Sequence, residues 1–582
     1  MTIPTRETPA YQRLTPRAGL GSFAVVGPGA SDAASRRLRL AALLLLAACL
    51  FGIFARDFLA HEGFARAVPS SGNVFFRLYA LHEGPFLVLL AVFASLAWLA
   101  ARRSGAVGGP ARARSKSGSI GGPALLAAVA VLGVTLAGTI FVMHSTPLSM
   151  DEYAAAFQAR ILASGRMSAP VPVEWQPFTK ALVPVFIAYR AAEQVWLSSY
   201  LPAYAALRAA FATAGADVLV NPLLAAGSVL SLAGVSARLW PGDLRRARVA
   251  LLYLVTSSQF LLTSMTGYSW PAHLCFNLLW LYLILREDRL GLAAAPWVGV
   301  VALGLHNPFP HALFVAPFLI RLLRAKRVGW IAYFGTVYGV GALAWYRLMS
   351  FSHSQVGRGA AIEEFAAPAG QTFFVQGLNL SLLLTWQAPA MALFLVAAFF
   401  LLRSLKPAER DLMAGLVLTV AFYVLFPQNQ GHGWGYRYAF SVLGNAALLA
   451  ASATVGLAGK GAPARRLVAL SAAAAILVQL PLRSFQAERF VRPYAATLDY
   501  IAGLPAEVVL VDPSSAYYGR DLVRNDPLFA TRPVTLALPA VRPDDGRELL
   551  RRYPGRVYVL TVPEMQRLGL TTFGPGPTWV RR

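Results

Sequence analysis

Residues 122–152 read GPALLAAVAVLGVTLAGTIFVMHSTPLSMDE. The stretch up to Met143 carries no charge, and an apolar run of about 20 residues is what a helix needs to cross a bilayer, where lipid offers no partner to backbone N–H and C=O groups. The run ends in His-Ser-Thr-Pro and then sets two acids, Asp151 and Glu152, just beyond the point where such a helix leaves the membrane. Similar runs recur along the chain near 38–55, 85–101, 218–238, 249–265, 269–285, 291–305, 308–323, 329–349, 379–402, 411–426, 438–457 and 467–482, which makes about thirteen expected spans. Pro308 and Pro310 interrupt one pair of them, so 291–323 is either two short spans or one broken element.

Composition agrees. Of 582 residues 57% are hydrophobic and 14% charged, whereas soluble proteins carry about 25% charged residues. Lys+Arg number 52 against 27 Asp+Glu, for a net charge of +25. A nucleic-acid-binding protein gathers such an excess on one solvated face. Here it falls in short clusters between apolar runs, among them Arg36, Arg37 and Arg39, then Arg245, Arg246 and Arg248, then Arg321, Arg324, Lys326 and Arg327, and later Lys460, Arg465 and Arg466. Basic short loops stay on the cytoplasmic side, so the pattern predicts a cytoplasmic N-terminus and places Asp151 and Glu152 outside. Nucleic acid is excluded as a partner, and membrane lipids are included. Cys49 and Cys275 both lie inside apolar runs and are not expected to pair.

The expected fold is an all-α polytopic membrane protein with a small α/β C-terminal extracytoplasmic domain. Residues 1–37 form a cytoplasmic tail and 38–121 a transmembrane hairpin with a basic linker. Residues 122–483 form the main membrane domain, with outer loops near 144–217 and 350–378. From 484 the character changes: β-rich runs at Val508–Val511, 534–538 and Val557–Leu560 enclose a charged helical stretch at 544–553. No internal repeat is visible, which weighs against an inverted-repeat transporter.

The chemistry is expected in 145–165, STPLSMDEYAAAFQARILASG. Tyr153, Phe157 and Ile161 recur at four-residue spacing opposite Gln158 and Ser164, as in an amphipathic helix on the membrane surface, with Gly165 as its stop. Asp151 and Glu152 stand at its start. Acids there cap a helix and complement its dipole. The alternative is that one carboxylate serves as general base for an acceptor hydroxyl; the helix terminus would lower its pKa while burial would raise it.

The acidic pair, the segment from Ala159 through Leu162-Ala163-Ser164-Gly165 to Pro170, Trp196 to Tyr204 (WLSSYLPAY, which includes Tyr200), Asn221-Pro222 and Gly435-Tyr436-Arg437-Tyr438 together resemble the GT-C superfamily of membrane glycosyltransferases. The nearest groups are bacterial protein O-mannosyltransferases, aminoarabinose transferases of lipid A and Rgt-type transferases of lipopolysaccharide core. The resemblance covers roughly 122–482. It implies a GT-C-like membrane domain that transfers sugar from a polyprenyl-phosphate donor to a lipid-linked glycan, lipopolysaccharide-type or protein acceptor on the outer side. It also implies a role for Asp151, with Glu152 adjacent, as base or acceptor-orienting group. Ala203, Tyr436 and the sequence His306-Asn307-Pro308 depart from the family pattern.

A phosphate needs cations, and the outer-side candidates are Arg437, Lys180, Arg190, His432, His306 and His311, with Arg437 first because Gly431, Gly433 and Gly435 surround it. Each also fits a snorkelling or solvated residue. His306 and His311 flank a Pro-interrupted turn; a divalent metal ion is a candidate cofactor there, without a third outer ligand. His273 lies inside an expected span, where an ionisable side chain is a functional candidate by default. The segment 350–378, with His353, Arg358, Glu363 and Glu364, reads as a lid or a plain loop, and Trp175, Trp196, Trp270 and Trp434 as an interfacial belt. A transporter of a lipid-linked or polar solute and a non-catalytic envelope scaffold are the competing functional readings.

Overall fold

Some of the long apolar runs form single helices, and others break at a proline or a polar cap. A computed structural model describes residues 28–60, 70–103, 119–182, 186–352, 369–425, 430, 433–458 and 462–571. Among the described residues seven helices are long and apolar enough to cross a membrane: Asp32–Ala60, Gly84–Arg102, Gly121–Phe141, Asp217–Leu239, Val328–Leu348, Arg437–Leu457 and Ala464–Gly503. Leu43, Leu50, Phe54, Leu125, Leu126 and Leu477 stand exposed on them, an apolar surface that lipid would cover. These features make the chain an integral membrane protein.

Among the described residues the count of thirteen expected spans is not reached. The run at 249–265 splits into helices Leu244–Val255 and Ser258–Ser264, because Ser257 takes an extended conformation and caps the second by accepting from the Phe260 amide at 3.1 Å. Trp270–Arg286, Arg289–Leu303 and Phe309–Arg324 have 17, 15 and 16 residues, short of a full crossing. The run at 379–402 is a bent pair, Phe374–Thr385 and Pro389–Phe399, turning by 117°. Pro389 explains the break: the residue before a proline is driven out of the helical region, and Ala388 has φ −55°, ψ 135°.

The break is mended from the last long helix, which makes a π-turn at Ala475–Gln479. Gln479 Nε2 donates to the carbonyls of Thr385 and Gln387 at 3.2 and 3.3 Å, and Ser471 Oγ accepts from the Ala390 amide at 2.8 Å. Beside it Arg483 and Glu83 form a buried two-pronged ion pair with contacts of 2.5 and 2.7 Å. Thr385 Oγ1 and Trp386 Nε1 donate to the same carboxylate at 2.8 and 3.1 Å, and the guanidinium lies 3.5 Å from the Phe86 ring centre. Glu83 belongs to the N-terminal hairpin, so that hairpin is fastened into the helical body.

The segment expected as one outer loop at 144–217 is ordered secondary structure. It holds helix Met150–Ala163, an antiparallel three-stranded sheet of Ala169–Pro170, Ile187–Arg190 and Val195–Ser198 with Val195–Ser198 central, and helix Ala203–Ala212. Helix Leu480–Gly503 runs straight through residue 484. After it, Val508–Val511, Val534–Ala537 and Val557–Leu560 form a parallel sheet with Val508–Val511 in the middle. This sheet is not free-standing: Val508, Leu510, Val534 and Leu536 share one hydrophobic cluster with Phe157, Ile161, Trp175 and Trp196.

Leaving one charge of a buried pair without its partner costs roughly 3–5 kcal/mol. Glu83→Gln should therefore lower the thermal midpoint of the detergent-solubilised protein by several degrees, and adding Arg483→Gln should recover part of the loss. An unchanged midpoint in Glu83→Gln would contradict this account of the hairpin.

Candidate functional site

Helix Met150–Ala163 begins with a capping box. Ser149 Oγ accepts from the Glu152 amide, and Glu152 Oε1 accepts from the Ser149 amide, both at 3.4 Å. The cap is thus Ser149 with Glu152, and Asp151 is left free of that duty. Its carboxylate instead accepts from Arg437 Nη1 at 2.7 Å and from the Tyr200 hydroxyl. Gln158, expected on a wet face, is buried too, bonding the Met167 carbonyl and the Ser198 amide, each at 2.9 Å. The helix is therefore largely enclosed by protein rather than presenting a wet polar face.

Two centres adjoin at the start of this helix. The first is the turn 266–268. Glu152 Oε2 accepts from the Gly267 amide at 2.7 Å, Tyr204 OH donates to the Gly267 carbonyl at 3.0 Å, and Asn221 Nδ2 holds the carbonyls of Thr266 and Tyr268 at 2.6 and 2.8 Å. Arg208 reaches the Gly267 carbonyl and pairs with Asp217. A Cβ at Gly267 would lie 3.0 Å from the Arg208 guanidinium and 3.3 Å from the Glu152 carboxylate, so the turn closes tightly. Its product is the placement of Tyr268, whose ring centre is 5.3 Å from the Arg437 guanidinium carbon.

The second centre is Arg437 with Asp151. Gln430 Oε1 accepts from the Arg437 amide at 2.9 Å, and Gln259 Nε2 donates to the Tyr436 carbonyl at 2.7 Å. Gly435 has φ +89°, and a Cβ there would meet the Gln259 side chain at 2.7 Å, so two independent reasons require glycine before this turn. Tyr438 flanks the guanidinium at 5.4 Å, and Trp270 packs edge-on to Tyr438 at 5.8 Å. His306 lies against Tyr200, with ring centres 3.8 Å apart. The Arg437 Nε is buried and has no hydrogen-bond partner among the described residues.

Electrostatics separate the two acids. Burial pushes the Asp151 carboxyl up, but Arg437, His306 and the Tyr200 hydroxyl outweigh it and hold the group below its ordinary value. Burial drives His306 down to about 4 in spite of Asp151, so the imidazole is neutral at pH 7 and the stabilising charge is that of Arg437. Glu152 goes the other way: burial raises it to about 7, only partly offset by the Gly267 and Ser149 amides.

The structure brings together four residues singled out from sequence, namely Asp151, Tyr200, His306 and Arg437, with Glu152 directly behind them. Lys180 is exposed in the short helix Thr179–Leu182, whose Ala181 and Leu182 pack toward the C-terminal sheet, and it makes none of the contacts of the Asp151 group. Arg190 pairs with Glu193 at 2.5 Å. His311 does not face His306. It is buried, with Nδ1 2.7 Å from Asn277 Oδ1 and Nε2 2.9 Å from the Tyr338 hydroxyl, a pin between three helices. His273 is fully buried with neither ring nitrogen bonded among the described residues, and its ring centre lies 5.7 Å from that of Trp270. His432, Gly431, His353, Arg358, Glu363 and Glu364 lie outside the described residues. Among those described, no group of three or more His, Cys, Asp or Glu side chains is disposed to hold a metal ion. Sequence reasoning named Tyr438 only within the Gly435-Tyr436-Arg437-Tyr438 motif, and it missed Tyr268, Gln259 and Gln430. Buried glutamines beside apolar runs were the available signal for the last two.

No protein-family model matches the chain, and no curated protein matches it. Among solved structures it aligns with ArnT from Cupriavidus metallidurans bound to undecaprenyl phosphate, at 16% identity and a TM-score of 0.47, over 76% of this chain and 90% of that one. The apo form of the same ArnT aligns at 13% identity with the same TM-score and coverage.

Proposed function

We propose that the protein is a membrane glycosyltransferase that moves a sugar from a polyprenyl-phosphate donor to an envelope acceptor on the outer side of the cytoplasmic membrane. The observation that carries this reading is the contact between Asp151 and Arg437, 2.7 Å long and 286 residues apart in sequence. An arginine held by its own backbone turn, walled by Tyr268 and Tyr438, is suited to a phosphate: its planar fork matches phosphate oxygens, and the aromatic faces support the cation.

In the ligand-free arrangement Arg437 and Asp151 neutralise each other. A donor phosphate arriving at Arg437 competes for the same guanidinium. As Asp151 loses that partner its carboxyl, now buried with only Tyr200, rises in pKa and becomes a stronger base toward an acceptor hydroxyl. Arg437 meanwhile stabilises the charge that develops on the leaving phosphate. The acceptor oxygen forms its bond to the anomeric carbon as the carbon–phosphate oxygen bond breaks, the hydroxyl proton passes to Asp151, and displacement inverts the anomeric centre. Glu152 takes no part in this chemistry; it holds the turn that carries Tyr268.

Two substitutions separate these roles. Asp151→Asn keeps the shape and the Tyr200 contact but removes the base, so sugar transfer in membranes should fall by about 10²–10⁴-fold at matched expression. Glu152→Gln should act chiefly by lowering the thermal midpoint. Full transfer by Asp151→Asn would defeat the proposed role. Arg437→Lys keeps the charge and loses the fork, and should weaken undecaprenyl phosphate binding to the purified protein by about tenfold or more, read by ligand-induced thermal shift. Equal shifts in wild type and Arg437→Lys would remove Arg437 from the donor site.

A further inference from the structure

The segment 519–529, which leads from the first to the second strand of the C-terminal sheet, runs along the whole of helix Met150–Ala163. At its start, Arg524 Nη2 donates to the Leu148 carbonyl at 2.8 Å while its Nε holds the Asp521 carbonyl at 2.6 Å. The Asp521 carboxylate accepts from the Met150 amide. One turn on, the Tyr153 hydroxyl donates to the Asn525 carbonyl and accepts from the Asn525 amide at 2.8 Å, with the Arg524 guanidinium 5.4 Å from the Tyr153 ring centre. At the far end Arg160 pairs with Asp526 at 2.9 Å. Phe529 stacks on Trp196 at 5.0 Å, and Trp196 Nε1 donates to the Pro527 carbonyl at 2.9 Å.

The segment is in turn stapled to its sheet. Asn525 exchanges two hydrogen bonds with the Thr535 backbone, at 2.8 and 2.9 Å, and Thr535 Oγ1 donates to the Arg524 carbonyl at 2.6 Å. The first amides of a helix have no partner within it. Here Ser149 satisfies that of Glu152 and Asp521 satisfies that of Met150, so the residue directly before Asp151 is gripped on its N–H by Asp521 and, two residues earlier, Leu148 is gripped on its C=O by Arg524.

We propose that 519–529 is a strap through which the C-terminal sheet fixes the position of Asp151, with Asp521 and Arg524 as positioning residues, so that the candidate site is completed by the C-terminal segment. Its meaning for catalysis rests on the transfer reading above. The mechanical claim does not. The charged and titratable groups facing Asp521 are Arg524 on its own segment, Asp151 and Glu152 on the gripped helix, and Tyr494 on the last long helix; Arg524 in turn faces Tyr153, and Glu152 faces Arg208. Burial raises the Asp521 carboxyl to about 7, Arg524 opposes the rise, and Asp151 and Glu152 add to it.

The test is hydrogen exchange on the full chain in lipid nanodiscs, read as protection factors for peptides covering 146–158. Arg524→Ala should lower protection there by about tenfold or more, as expected for losing a charged group's hydrogen bond, and leave spans Gly84–Arg102 and Arg437–Leu457 unchanged. Arg524→Lys, which keeps the charge but loses the double donation, should fall between, and Arg547→Ala on the exposed helix Pro543–Arg552 should change nothing. A carboxyl raised in the folded state stabilises that state below its ordinary value near 4 and loses this stabilisation as pH climbs through about 7. Wild-type protection should therefore decline from pH 5 to 8, and Asp521→Asn should make the decline shallower. A strap that acts only by bulk would leave that slope unchanged. Protection in Arg524→Ala equal to wild type, or an unaltered slope in Asp521→Asn, overturns the proposal. If these results hold while the wild-type protein transfers no sugar, the transfer reading fails and the strap stands.

Discussion

A bilayer supplies no hydrogen bonds, so wherever a membrane helix breaks, the freed backbone groups have to be paired from inside the protein. That constraint organises this chain. The bend before Pro389 leaves carbonyls that Gln479 takes up, and the same bend turns Gln387 toward Gln259, with Nε2 donating at 2.9 Å. Ser257, the cap of the second broken run, donates to Gln387 at 2.7 Å. Gln259 passes the linkage to the Tyr436 carbonyl, one residue before Arg437. Helix breaks at 256–257 and 386–388 are thus the means by which an arginine at the start of a span is held in one place. The Glu83–Arg483 pair braces the far side of the bend and fastens the N-terminal hairpin to it.

With Arg437 fixed from one side, Asp151 has to be fixed from the other, and none of the described spans carries it. It rides on a helix enclosed between the small three-stranded antiparallel sheet, helix Ala203–Ala212 and the C-terminal sheet. Three kinds of hold meet there: the Ser149–Glu152 capping box, the turn at Gly267, and the contacts of Asp521 and Arg524. The division of labour between neighbours follows from geometry. In the first turn of a helix, adjacent side chains project about 100° apart, so Glu152 turns into the protein and caps, while Asp151 turns to Arg437.

Much of the membrane character was legible in the sequence, because apolar run length and charge placement are local properties. Asp151, Tyr200, His306 and Arg437 were legible as candidates from residue type and from short motifs, although nothing local could say that the four meet. The span count was less so. A 24-residue apolar run such as 379–402 looks continuous by hydropathy, and whether Pro389 kinks it gently or turns it by 117° depends on Gln479 and Ser471, some 80 residues later in the chain. The partners of His311 were not legible for a similar reason: it finds Asn277 and Tyr338 on other helices. Asp521 and Arg524 were invisible because their partners lie more than 360 residues away and the segment carries no motif.

The central claim is that Arg437 exchanges Asp151 for a phosphate, and that the carboxylate then takes up a proton more readily. Calorimetric titration of the purified protein with undecaprenyl phosphate at pH 5–6, in buffers of differing ionisation enthalpy, counts the protons exchanged on binding. The account predicts net proton uptake by the wild type relative to Asp151→Asn, in which the competing carboxylate is gone. Identical proton counts for the two proteins, with both binding the lipid phosphate, would contradict it.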